Sequence, residues 1–267
     1  MLAKRLIACF DIINGMVTKA IQFQNNIHIA PAEELAVKMY ENQIDELIFY
    51  DILASAQKRG IDIETVKKVA CCVFIPFTVG GGIKDLDDMY ESLKAGAEKI
   101  SLDSMAVRNP QIISDGAKAF GSQCIVLSTQ VKKTNITPSG YEVYIDGART
   151  ATGMDAIEWI KRGHELGAGE ICINSIDNDG TMCGYDIGLM QMVEAVVSAP
   201  LIASGGAGKP EHLKILFRDT EAQGAIISSM LYSPRMESNY TAIDLKKYLL
   251  GNNISIRPPY IGEEKAI

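Results

Sequence analysis

Eight short apolar runs, each followed by a loop and a stretch of helical period, constrain the fold of this chain. They are Arg5–Asp11, Glu46–Ile52, Phe74–Gly80, Lys99–Asp103, Cys124–Gln130, Glu170–Ile176, Pro200–Ser204 and Gly224–Ser228. The runs are near-continuously hydrophobic, as strands covered on both faces are. Helix-period stretches follow at Pro31–Asn42, Asp62–Cys71, Asp85–Ala95, Pro110–Phe120, Gly153–Leu166, Ile187–Ser198, Pro210–Phe217 and Thr241–Leu250. Pro31-Ala-Glu-Glu and Asp62-Ile-Glu-Thr read as helix starts with acidic first turns. Eight strand–helix units predict a TIM (β/α)8 barrel, with an open doubly wound sheet as the alternative. Residues 1–253 are read as one barrel and 254–267 as a loosely packed C-terminal tail.

Two glycine turns suggest that the barrel is built from two similar halves. Leu201-Ile-Ala-Ser-Gly-Gly-Ala-Gly208 is an apolar run that stops at small residues before a helix opened by Lys209-Pro210-Glu211. Phe77-Thr-Val-Gly-Gly-Gly-Ile83 repeats the pattern half a chain earlier. Each has a second counterpart, Ile100-Ser-Leu-Asp-Ser104 and Ala225-Ile-Ile-Ser-Ser229, at nearly the same offset. Small residues at a strand end let backbone N–H groups approach an anion, and a following helix start favours negative charge. The competing reading of each turn is an ordinary strand-to-helix connection.

Two insertions break the rhythm. Phe23–Ala30 is polar and carries the pair Asn25-Asn26. Val131–Thr152 holds Thr137-Pro-Ser-Gly140 and Tyr141–Gly147, which read as a small hairpin turning at Pro138-Ser-Gly140 and Asp146-Gly147. Both follow strand C-termini, where barrels of this kind place their sites and lids.

Composition excludes several classes. A net charge of −7 leaves no electrostatic footprint for nucleic acid. No apolar run reaches membrane-spanning length, and the N-terminal run is too short, and too soon acidic at Asp11, for a signal peptide. Six cysteines without a CxxC pair read as reduced thiols of a cytosolic protein, and three scattered histidines show no metal-ligand spacing. No metal or cofactor is expected.

The strand ends supply the candidate chemistry. Asp11 is a candidate general acid–base; it could instead cap a helix or pair with Lys19, itself a candidate anion ligand. Asp51 reads as a structural brace. Asp177-Asn-Asp179-Gly180-Thr181 resembles a fragment of a calcium loop, but a tight turn offering N–H groups to phosphate fits better. Asp179, Gly180, Gly206, Ser228 and Ser229 would surround one phosphate; Gly82, Asp103 and Ser104 would form a second cup across the mouth. Facing cups imply an elongated ligand with a phosphate at each end. The Asp103 carboxylate weakens the second cup, because it repels an anion unless protonated or paired.

The residues resemble the cyclase subunit family of imidazole glycerol phosphate synthase, HisF. The supporting stretches are Met1-Leu-Ala-Lys-Arg5, Cys9-Phe-Asp11, Phe77–Ile83, Phe120-Gly-Ser-Gln-Cys124, Gly167-Ala-Gly-Glu170, Asp179-Gly-Thr181, Gly184-Tyr-Asp186 and Ile202–His212. The resemblance implies a half-barrel duplication, two phosphate sites and a glutaminase partner (HisH-like) at the N-terminal barrel face. Ammonia would pass along the barrel interior to a nucleotide-derived ribulose substrate, giving imidazole glycerol phosphate and a carboxamide nucleotide. It also implies an ammonia gate formed by Arg5, Glu46, Lys99 and Glu170, with a plain salt-bridge cluster as the alternative. Glu98 keeps an acid at a position associated with the glutaminase contact.

Departures from the family pattern qualify this. The family's second carboxylate, in an Ile-Asp-Ala-Lys stretch, is Gln130 within Thr129-Gln-Val-Lys132; Asp177 and Glu142 are the nearest spare carboxylates. The family's asparagine and threonine of the first cup are Asp103 and Ser104, and its first-loop glycine–aspartate pair is replaced by His28-Ile-Ala-Pro31. A carboxamide exchanges no proton near neutral pH, so the cyclising chemistry is expected to be impaired and the conduit intact. The main expectation is therefore a HisF-like paralogue routing ammonia to an amidation in nitrogen-containing surface-sugar biosynthesis, with a phosphorylated ligand and a separate ATP-using amidotransferase. The alternatives are an authentic histidine-pathway cyclase and a non-catalytic glutaminase-docking scaffold.

Overall fold

The computed structural model describes residues 3–21, 24–54, 59–234 and 239–260. The chain runs β1 (Arg5–Ile13), β2 (Met16–Ile21), β3 (Gln24–Pro31), α1 (Ala32–Glu41), β4 (Glu46–Asp51), α2 (Ile63–Ala70), β5 (Phe77–Gly80), α3 (Leu86–Lys94), β6 (Lys99–Leu102), α4 (Ser104–Arg108) and α5 (Gln111–Phe120). It continues through β7 (Ile125–Lys133), β8 (Tyr141–Ile145), β9 (Thr150–Asp155), α6 (Ala156–Glu165), β10 (Glu170–Ser175), α7 (Ile187–Glu194), β11 (Leu201–Ser204), α8 (Pro210–Asp219), β12 (Gly224–Ile226), α9 (Ser228–Tyr232) and α10 (Ala242–Gly251). Parallel pairing runs β1-β4-β5-β6-β7-β10-β11-β12 and returns from β12 to β1 through Arg5↔Gly224, closing a (β/α)8 barrel. The eight predicted runs are these strands, displaced by at most a few residues at their ends.

Local chemistry starts the helices. Asp62, Asp85 and Asp186 accept from the backbone N–H three residues on, and Asp155 accepts from Ile157 and Glu158. The fifth predicted helix, α6, therefore begins at Ala156 rather than Gly153, because β9 continues to Asp155 before the cap. The insertion after β1 is a hairpin, β2 on β3, with Phe23 outside the described residues. The insertion after β7 is an antiparallel meander in which β7 extends to pair with β8, and β8 with β9.

Alternation along the strands divides the core. Outward side chains pack against the helices, as Leu6, Ala8 and Phe10 of β1 do, all fully buried. Inward ones form a separate apolar layer of Ile7, Ile48, Val126, Cys172, Ile202 and Ile226, with Cys9 and Tyr50 against it. A period of two carries each inward row from floor to mouth: Arg5, Ile7, Cys9, Asp11 on β1; Lys99, Ser101, Asp103 along β6 and just past it; Val126, Ser128, Gln130 on β7.

Described residues near both ends of the chain are tied to this barrel. The fully buried Lys246 of α10 donates to Asp45 Oδ1 at 2.6 Å and to the Gln43 carbonyl at 2.6 Å, while Asp45 Oδ2 accepts from the Leu6 N–H at 2.9 Å. The described part of the predicted tail, residues 254–260, makes specific contacts with the barrel. Ile256 is buried and bridges to Lys4, whose N–H donates to the Ser255 carbonyl at 2.8 Å.

Removing the Lys246 charge leaves the Asp45 carboxylate partly uncompensated beneath α10. Lys246→Met should lower unfolding free energy by about 3 kcal/mol in urea titration, and adding Asp45→Asn should recover part of that loss. Additive losses would refute the coupling.

Candidate active site

At the floor of the barrel, four inward side chains from four strands form a closed ring of alternating charge. Arg5 donates to Glu46 at 2.6 Å and to Glu170; Lys99 donates to Glu46 at 2.8 Å and to Glu170 at 2.7 Å. Thr78 adds a bond to Glu46 at 3.3 Å. Both glutamates are buried, and the cations retain only limited exposure. Burial opposes the Arg5 charge, but Glu170 and Glu46 more than offset it and hold its pKa above the ordinary value. Above the ring and its apolar layer, the Tyr50 hydroxyl reaches Ser101 at 3.2 Å and Ser128 at 3.3 Å. About 20 Å of strand separates floor from mouth.

At the mouth, Asp11 stands at the end of the β1 inward row. Burial raises its pKa, Lys19 opposes that, and Asp179 adds to it. Lys19 on β2 also lies 5.9 Å from the Tyr232 ring centroid. Around the closed sheet, β7 lies four strands from β1, so Gln130 occupies the opposite wall. Its amide Nε2 donates to Asp103 Oδ2 at 3.3 Å, and its Oε1 accepts from the Asn174 amide at 2.8 Å. Burial pushes the Asp103 carboxyl up to about 7, with the Gln130 bond pulling against it. Asp103 and Gln130, separate departures in the sequence, are hydrogen-bonded neighbours in the structure.

The spare carboxylates are committed elsewhere. Asp177 accepts from the Lys133 N–H at 2.8 Å, and buried Glu142 accepts from the Gly153 N–H at 2.7 Å, so both brace the meander. Asp51 points outward to Arg59, with bonds of 2.5 and 2.8 Å, and accepts from the Ala54 N–H, the brace expected of it.

The two glycine turns are sterically obligatory. A Cβ on Gly206 (φ +102°) would lie 1.9 Å from the Gly184 carbonyl oxygen, and one on Gly81 (φ +86°) 2.4 Å from that of Asp51. Gly184 donates back to the Gly206 carbonyl at 2.7 Å, which ties the loop bearing Asp179 and Gly180 to this turn. The Asp179 N–H is already spent on the Ser175 carbonyl at 2.9 Å. Ser228 braces β1: its hydroxyl accepts from the Cys9 N–H at 3.1 Å and donates to the Cys9 carbonyl at 2.8 Å. Ser229 is the more open of the pair. In the first half, Gly82 follows its turn in the same left-handed region (φ +80°), and Ser104 accepts from the Asp146 N–H at 2.9 Å. The meander thus closes over this cup, where Arg108 holds Asp146 with two bonds of 2.7 Å. Sequence reasoning missed α4 and α9, the short helices beginning at Ser104 and Ser228.

The chain matches the histidine biosynthesis protein family over residues 5–237. It is 50% identical to imidazole glycerol phosphate synthase subunit HisF of Desulforapulum autotrophicum, across 96% of this chain and 99% of that one. The HisF subunits of Syntrophobacter fumaroxidans (49%) and Desulfatibacillum aliphaticivorans (48%) align over the same 96% of the chain, and over 99% and 98% of their own lengths. The chain belongs to the HisF family.

This overturns the surface-sugar expectation. Near-full-length relatives at this identity carry the histidine-pathway name, and the separate ATP-using amidotransferase falls with the sugar reading. The departures at Gln130, Asp103, Ser104 and the first loop are local and do not outweigh a match along the whole chain. In this HisF-family barrel a carboxyl still stands on that wall, just past the end of the neighbouring strand, hydrogen-bonded to Gln130. Among the described residues no group of three or more metal-binding side chains occurs, and no helix is long and apolar enough to cross a membrane.

The raised Asp103 pKa fixes the sign of a pH effect. Between its ordinary value and about 7, the folded state holds a proton that the unfolded chain has released, so this group's contribution falls as pH rises through that window. Asp103→Asn should therefore gain stability relative to wild type at pH 8 and none at pH 4, measured by urea titration at both pH values. An equal change at both would contradict the assigned cause.

Proposed function

We propose that this chain is the cyclase subunit of an imidazole glycerol phosphate synthase in histidine biosynthesis. A HisH-type glutaminase subunit docks on the N-terminal face and supplies ammonia, which reacts at the mouth with a nucleotide-derived ribulose substrate. The observation that carries this reading is one barrel with a charged ring at one end and carboxyls of raised pKa at the other, in a chain near 50% identical to HisF subunits over its length.

The ring of Arg5, Glu46, Lys99 and Glu170 serves as the ammonia gate. A neutral, small molecule can pass only if one pair parts briefly, and the two carboxylates share two cations, so opening one contact leaves each charge partnered. The interior above offers the hydroxyls of Tyr50, Ser101 and Ser128 as stepping stones. Around the ring, exposed Glu98 and the exposed ring of Phe74, in edge contact with Tyr40 at 6.2 Å, give the docking face acid and aromatic features together.

At the mouth, Asp11 acts as a general acid–base, its burial moving it toward neutral pH. Lys19 provides a cation near it. Backbone N–H groups at Gly206, Ser228 and Ser229, with the Asp179–Gly180 turn, hold one substrate phosphate; the Gly82 turn and the Ser104 hydroxyl hold the other. The Ser228 side chain keeps its bracing bonds to Cys9 meanwhile.

Purified protein given the ribulose substrate and an ammonium salt should form imidazole glycerol phosphate; glutamine should replace ammonium only once the glutaminase subunit is added. Asp11→Asn should reduce kcat by about 10²–10⁴-fold. Absence of product from the wild-type protein with ammonium would reject the reading.

A further inference from the structure

Asp103 stands half-buried at the mouth with no structural employment that accounts for its place there. It occupies the N-cap position of α4, yet its side chain makes no capping hydrogen bond. The cation whose charge acts on it, Arg108, is committed to Asp146 through two bonds of 2.7 Å. The bond from Gln130 to Oδ2 is its side-chain contact among the described residues, and Oδ1 accepts none there. Gln130 cannot rotate its amide freely, because Asn174 donates to its oxygen at 2.8 Å and so directs its NH2 toward Asp103. The three side chains form an oriented relay, Asn174 to Gln130 to Asp103, across adjacent strand ends on the wall opposite Asp11. A carboxyl and an amide paired this way are interchangeable in hydrogen-bonding terms: whichever position holds the acid, the other donates to it.

We propose that Asp103 is the second general acid–base of the mouth, doing from the end of β6 what an acid at position 130 would do from β7, with Gln130 and Asn174 as positioning residues. This deepens the cyclase reading and rests on it. In the first step the ammonia lone pair forms the C–N bond to the substrate ketone while the carbonyl π pair moves to oxygen. The neutral Asp103 carboxyl gives its proton to that oxygen, and the resulting carboxylate takes one back from the ammonium nitrogen, leaving a neutral carbinolamine. In the second, the carboxyl protonates the hydroxyl, water leaves as the nitrogen lone pair forms C=N, and the iminium returns a proton to the carboxylate. Each cycle ends with the acid as it began. A group titrating near neutrality suits both directions of transfer.

The test is steady-state kinetics with ammonium chloride and the ribulose substrate, over pH 5.5–9 (a range of about 3.5 units around the optimum expected for such an acid). Asp103→Asn should lower kcat about 10²–10⁴-fold, keep KM within about threefold, and remove a pH limb that Asp11→Asn retains. The charged groups facing this carboxyl are Arg108 and Asp146 from α4 and the meander, so Asp146→Asn should shift that limb to lower pH without abolishing it. The double variant Asp103→Asn, Gln130→Glu restores the acid on the adjacent strand and should recover at least about tenfold of the lost kcat. Asp103→Asn within about threefold of wild type, or a double variant no faster than Asp103→Asn alone, would overturn the assignment. If wild type itself yields no product, the cyclase reading fails instead, which separates the two failures.

Discussion

The closed ring of Arg5, Glu46, Lys99 and Glu170 is the constraint from which the remaining geometry follows. Two cations and two carboxylates at the floor of an apolar barrel are costly singly, by several kcal/mol per ion, and are tolerated only when each finds partners. Here every member has two opposite charges within 2.8 Å or less, contributed by β1, β4, β6 and β10. A one-residue slip of any of those strands would turn its charge outward into the helix layer. The ring therefore pins four registers at once, and the period of two above it decides which side chains arrive at the mouth. Arg5 and Lys99 at the bottom place Asp11 and Asp103 at the top.

Much of this was legible in the chain. Strands buried on both faces announce themselves as continuous apolar runs, and acidic first turns mark helix starts, as at Pro31-Ala-Glu-Glu and Asp62-Ile-Glu-Thr. Two five-residue helices, α4 and α9, were not legible, because five residues carry no measurable period. The start of α6 was misplaced because β9 runs straight into its cap at Asp155. The bond between Asp103 and Gln130 was hidden for a different reason. It joins residues 27 positions apart whose contact exists only once β6 and β7 lie side by side.

That contact changes the chemistry inferred from single residues. Gln130 read alone is a lost acid, and Asp103 read alone is a poor phosphate ligand. Together they leave the mouth with a carboxyl on each of two facing walls, both moved toward neutrality by burial, and they reconcile the local departures with relatives that are HisF subunits along nearly their whole length. The two glycine turns are correspondingly unequal. The second-half turn at Gly206 is locked by Gly184 and left open at Ser229, whereas the first-half turn is overlaid by the meander through Asp146 and Ser104.

The most direct measurement is a crystal structure with the ribulose substrate bound and ammonia withheld. The ketone carbon should lie between the carboxyls of Asp11 and Asp103, with the terminal phosphates on the turns at Gly82 and Gly206. A substrate whose ketone lies beyond hydrogen-bond reach of Asp103, with Asp103 still bonded only to Gln130, would contradict it.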